Sequence, residues 1–149
     1  MRAGVFGTRL AAVVATLAAT ALVTPLHAQP ELESISTRFA DGWSAGDAAA
    51  LMPDLLEEGI DLSLDGDAHA GVSRRQARAA LDRFLGDWDP EEVEVRQAEV
   101  LGGQPQRALL EFTWAPTARG TPERRSFVIF VSLRRTLDQW CIEEIRVFS

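Results

Sequence analysis

The amino-acid sequence predicts an α+β domain in which helices cover one face of a curved, mainly antiparallel β-sheet. Three observations lead there. Apolar residues recur at helical spacing in two segments before residue 90; beyond it they alternate with polar residues at the period of two that marks a half-wet strand; and short turns containing Gly or Pro, not crossover helices, separate the later strands. The order is helix, helix, strand, helix, then four antiparallel strands, which argues against a doubly wound parallel sheet.

Residues 1–28 stand apart. Arg2 and Arg9 precede the apolar stretch Leu10 to Val23, and Pro25 precedes Leu26-His27-Ala28, the layout of a secretory signal cleaved near Ala28. A stretch of about 14 residues rises about 21 Å as a helix against about 30 Å of hydrocarbon, which favours cleavage over a stable membrane anchor. The expectation is an exported product, periplasmic or extracellular, with a single domain over residues 29–149.

Within that domain Leu32, Ile35, Phe39 and Trp43 share one helix face, and Gly46 ends the helix. Asp47 caps a short second helix through Leu51, limited by Pro53. Ile60, Leu62 and Leu64 alternate with Asp61, Ser63 and Asp65 in a first strand that stops at the Gly66-Asp67 turn, leaving His69 in a loop. Ser73 and Gln76 form a capping box for the third helix, whose stripe is Ala77, Ala80, Leu81, Phe84, Leu85 and Trp88, with Gly86 and Pro90 marking its end. Val93 and Val95 start a strand, Leu110, Phe112 and Trp114 share a face of the next, and Phe127, Ile129, Val131 and Leu133 share a face of a third. Trp140 and Ile142 open the last strand, where the apolar positions change parity before Ile145 and Val147; a β-bulge near Glu143-Glu144 accounts for the change.

Composition removes several chemistries. Residues 29–149 hold 13 of the basic and all 22 acidic residues, and 13 − 22 = −9, an acidity that argues against nucleic acid or an anionic membrane as partner. The excess lies in residues 29–73, where one arginine faces ten acids. Lysine, asparagine and tyrosine are absent, which excludes a lysine Schiff base, N-linked glycosylation and a tyrosine acid. Cys141 is the only cysteine, so no intramolecular disulfide forms, and its place in an alternating strand points to a buried thiol.

The helix ending in Gly46-Asp47-Ala48, the strand Ile60-Asp61-Leu62-Ser63-Leu64, the segment from Ser73 and Gln76 through Leu81 to Phe84, and the terminal Trp140-x-Ile142-x-x-Ile145-Arg146-Val147 together resemble the nuclear-transport-factor-two-like (SnoaL-like) superfamily. The likeness covers nearly all of residues 31–148 and is nearest to small exported bacterial members of unassigned function. It implies a cone-shaped, cystatin-like fold and a homodimer formed through the sheet. The matching residues specify packing and caps rather than a catalytic motif. Enzymes of the superfamily work inside the cone with buried Asp, His or Tyr groups; this chain has no tyrosine, and residues 29–149 have one histidine, His69.

His69 is therefore the candidate acid-base residue, acting with Asp61 or Asp65, against the ordinary reading of a solvent-facing loop histidine. Trp43, Trp88, Phe112, Trp114 and Trp140 either line an apolar ligand pocket or fill the core, the usual fate of large aromatics in a small domain. Arg124, Arg125, Arg134 and Arg135 flank a strand in pairs, as edge charges or as an anion clamp. The Asp61, Asp65 and Asp67 cluster lacks the spacing of a calcium loop, zinc lacks ligands, and no nucleotide-binding or nucleophile-elbow motif occurs, so neither metal nor cofactor is expected. The leading reading is a non-enzymatic binding or accessory module for a small apolar ligand or a protein partner. The runner-up is a small isomerase, cyclase or hydrolase using Asp61 or His69 at the cone mouth.

Overall fold

The computed structural model describes residues 28–137 and 139–149. The expected export signal lies outside the described residues apart from Ala28. Helix α1 (Ala28–Ser44) buries Leu32, Ile35, Phe39 and Trp43 on one face, as their spacing requires. Gly46 follows with φ of 66°, a left-handed value that glycine tolerates, and turns the chain into α2 (Ala48–Leu51). The Asp47 carboxylate caps α2 by accepting from the Ala50 amide, and Pro53 sits in the 3-10 turn Met52–Asp54 that ends this hairpin. Helix α3 (Arg74–Gly86) starts at the expected capping box: Ser73 Oγ accepts from the Gln76 amide at 3.3 Å, and Gln76 Oε1 accepts from the Ser73 amide at 2.9 Å. Ala77, Leu81 and Leu85 are its fully buried residues. Trp88 lies just past the end of α3 rather than on it, because Asp87 already closes the helix.

The strands are β1 (Ile60–Leu64), β2 (Asp67–Val72), β3 (Val93–Gly102), β4 (Arg107–Trp114), β5 (Phe127–Thr136) and β6 (Gln139–Phe148). They form one open, curved sheet in the order β2-β1-β6-β5-β4-β3. All neighbours are antiparallel except β1 and β6, which pair in parallel with Leu62 beside Ile145. Ser132 pairs with Glu144 and Leu133 with Ile142, so Glu143 is the extra residue of the bulge that the parity change demanded.

Strand β2 corrects the sequence reading. His69 is not in a loop; it occupies an edge strand, opposite Leu62. Asp65 and Gly66 have φ of 49° and 98° between the paired residues Leu64 and Asp67, which makes a two-residue hairpin of the type favoured by Asp-Gly. The alternation of apolar residues ends at Leu64, so β2 left no hydrophobic trace: all its residues but Val72 are exposed.

The helices cover the face formed by Ile60, Leu62, Leu64, Leu110, Phe112, Trp114, Phe127, Ile129, Val131, Ile145 and Val147, all buried. At its centre aromatic rings pack on one another: Phe39 lies 4.9 Å from Phe112 and 5.4 Å from Trp43, and Trp43 meets Trp114 edge-on at 5.7 Å. Trp88 extends the stack through Phe127, 5.1 Å away. Cys141 is buried on the other face, its Sγ 3.3 Å from Thr136 Oγ1.

Candidate functional site

The α3 residues Gln76, Ala79, Ala80, Arg83 and Phe84, with the C-cap Asp87, recur at spacings of three and four, so they share the helix face that overhangs the β1–β2 hairpin. Between that face and the hairpin runs a groove of about 450 Å³, whose strand side is Leu62, Leu64, Asp67, His69 and Val72. Leu62 lies opposite His69 and Leu64 opposite Asp67, and directly opposed residues of antiparallel strands share a face, so the polar pair of the edge strand stands beside the apolar pair of β1. His69 Nε2 is 3.1 Å from Asp67 Oδ1, two residues away along the strand. Arg83 is exposed on the opposite wall and has no ion pair or hydrogen bond among the described residues. Arg83 thus lines the same groove as the apolar side chains of Leu62, Leu64 and Phe84.

The two expected acid-base residues are separated in role. Asp61 pairs with Glu144 of β6, on the face of the hairpin away from α3, and its carboxylate accepts the Gly71 amide at 2.8 Å. His69 takes Asp67 as its carboxylate partner, and Asp65 is bound instead by Arg125 at 3.3 Å and by the Ser149 amide at 3.2 Å. Asp67, Gln76 and Arg83 were not legible as groove residues in the sequence; the Asp-Gly pair at 65–66, read as a hairpin signal, would have found β2 and with it Asp67.

The aromatic candidates lie elsewhere. Trp43 and Phe112 sit within the ring stack, and Trp88 packs on Phe127. Trp114 borders a second cavity of about 460 Å³ with Arg124, Phe127 and Phe148. Trp140 borders one of about 200 Å³ with Arg38 and Asp54, under the Arg135 guanidinium 5.3 Å from its ring. The paired arginines act mostly as ion-pair partners: Arg125 with Asp65 and Glu123, Arg134 with Glu58 and Glu143, Arg135 with Glu31. Among the described residues no group of three or more His, Cys, Asp or Glu side chains is placed to hold a metal ion.

No family model and no curated protein matches the chain. Solved structures do. A DUF4783 family protein from Bacteroides ovatus superposes with a TM-score of 0.60 at 14% identity, over 75% of this chain and 92% of its own. A nuclear-transport-factor-two-like protein of unknown function from Shewanella oneidensis gives 0.61 at 15% identity, over 81% and 98%. A hypothetical protein from Catenulispora acidiphila with a ketosteroid isomerase-like fold, solved in complex with trimethylamine, gives 0.59 at 19% identity, over 77% and 84%. The chain therefore has the nuclear-transport-factor-two-like fold; likeness at these identities speaks to fold alone.

Proposed function

We propose that this chain is an exported binding module that takes a small amphipathic anion into the groove between α3 and the β1–β2 hairpin. The observation that carries the reading is Arg83, a cation without a protein partner among the described residues, lining one groove with the apolar side chains of Leu62, Leu64 and Phe84. An apolar body lies against those side chains and a carboxylate meets the guanidinium fork, the geometry in which arginine binds carboxylates best. Gln76 and His69 supply further hydrogen bonds at the rim.

Native mass spectrometry of protein purified from an exporting host tests export and binding together, because it reports both the first residue and any retained mass. Titration calorimetry with straight-chain carboxylates then tests the ligand class. Each buried methylene is worth about 0.8 kcal/mol, so decanoate binds roughly tenfold more tightly than octanoate. Ala80→Trp, which fills the groove from α3, abolishes the binding. A chain that binds neither carboxylate and retains no mass overturns the proposal.

The His69–Asp67 pair favours a second reading, an acid-base enzyme at the cone mouth, since a carboxylate partner orients an imidazole for proton transfer. Under it, His69→Ala removes turnover of a bound carbonyl substrate while leaving its affinity, and Asp61→Asn on the opposite face leaves turnover intact.

A further inference from the structure

The charges that line the groove do not balance. Arg83 brings one guanidinium, and Asp67 and Asp87 bring two carboxylates. Asp67 is met by His69 Nε2 at 3.1 Å, whereas the Asp87 carboxylate has no ion pair or hydrogen bond among the described residues. Its place in the helix gives it no capping role either. Asp87 is the C-cap of α3, where the last carbonyls make the helix end negative, so a carboxylate is repelled there and a cation is attracted. The neighbouring Arg119 is engaged elsewhere: its guanidinium donates to the Trp88 carbonyl at 3.1 Å and lies 4.0 Å from Asp89. A plain carboxylate entering the groove therefore gains Arg83 and is repelled by Asp87. A ligand that also carries an ammonium turns that repulsion into attraction.

We propose that the groove takes a zwitterion, an α-amino acid with an apolar side chain, whose carboxylate meets Arg83 and whose ammonium meets Asp87 at the negative end of α3. This rests on the reading of the groove as a carboxylate site and narrows it to one class of carboxylate. Arg83 and Asp87 stand one helical turn apart, which sets their Cβ atoms about 6 Å from each other. The two unlike charges of an α-amino acid branch from a single carbon, and such a short separation suits side chains on adjacent turns. The apolar side chain of the ligand is left for Leu62, Leu64 and Phe84.

Titration calorimetry near neutral pH with octanoate and α-aminooctanoate tests this, because the two share chain and carboxylate and differ in the ammonium. The wild-type protein is expected to bind α-aminooctanoate about tenfold more tightly, the worth of one charge-assisted hydrogen bond at an exposed rim. N-acetylation of α-aminooctanoate removes the positive charge and abolishes that gain. Asp87→Asn moves the two ligands in opposite directions: α-aminooctanoate weakens about tenfold, and octanoate, relieved of a repulsion, tightens about twofold. Arg83→Gln weakens both. Both side chains are exposed, and thermal midpoints no lower than that of the wild type show that the variants fold. If α-aminooctanoate binds no more tightly than octanoate, or if Asp87→Asn spares it or weakens both ligands alike, the zwitterion is overturned and the carboxylate groove stands. If neither ligand binds, the groove reading itself is overturned, and this inference with it.

Discussion

The Asp61 carboxylate accepts a 2.8 Å hydrogen bond from the amide of Gly71, ten residues away, where the pairing of β1 with β2 shifts register. Between the pairs Ile60–Val72 and Leu62–His69 lie one residue of β1 and two of β2, so the Gly71 amide has no ladder partner and the side chain supplies one. Asp61→Ala is expected to cost about 1 kcal/mol in chemical denaturation, and Gly71→Ala a similar amount because Gly71 has φ of 62°. Both leave the groove floor intact, and carboxylate binding survives each.

Ser36 Oγ is buried in α1 and has no hydrogen-bond partner among the described residues. Ser36→Ala removes an unsatisfied polar atom and improves helix propensity. It is expected to stabilise the protein by about 1 kcal/mol, seen as a higher urea midpoint with an unchanged slope.

Trp43 carries a buried Nε1 that is likewise unpartnered, yet it anchors the ring stack through Phe39, Phe84 and Trp114. Trp43→Ala leaves a cavity at the centre of the domain and costs about 3–5 kcal/mol. Trp43→Phe keeps most of the ring contact and discards the orphan donor, so its cost is expected to be less than half as large. Thermal unfolding of the two variants side by side reads the difference.

Arg38 holds Asp54 through two hydrogen bonds, at 2.8 and 3.1 Å, and the hydrogen bond and charge of Asp54 raise its pKa above the usual guanidinium value. A pKa raised in the folded state stabilises fully below the unfolded value and is lost only above the folded one, so this pair contributes a constant amount across neutral and mildly alkaline pH. Because Arg38 is half exposed, the contribution is small: Arg38→Gln is expected to cost less than about 1 kcal/mol, equally at pH 6 and pH 9 in parallel urea titrations.

Elements with an apolar face were legible in the sequence because burial writes its period into the chain. The stripe of α1, the alternation of β4 and β5 and the capping box at Ser73 all follow from this, and the parity change that placed a bulge at Glu143 is the same signal broken once. Strand β2 was illegible for the converse reason: an edge strand of Ala, His and Gly buries almost nothing, and only its turn residues betray it. The groove suffered the same fate. His69 was visible as the lone histidine of its domain, whereas Asp67 and Arg83 are ordinary surface charges until β2 and α3 bring them to one groove.

The place of β6 has a bearing on synthesis. It is the last strand in the chain yet lies between β1 and β5, with parallel pairing on one side and antiparallel on the other. A chain emerging from the ribosome thus holds two half-sheets, a hairpin and a three-stranded meander, that stay apart until the final strand slides between them. Joining them waits on contacts between residues some eighty positions apart, an arrangement that folds slowly. Without β6 the hairpin and the meander have no strand neighbour in common, so the core face they build together closes only when β6 is in place.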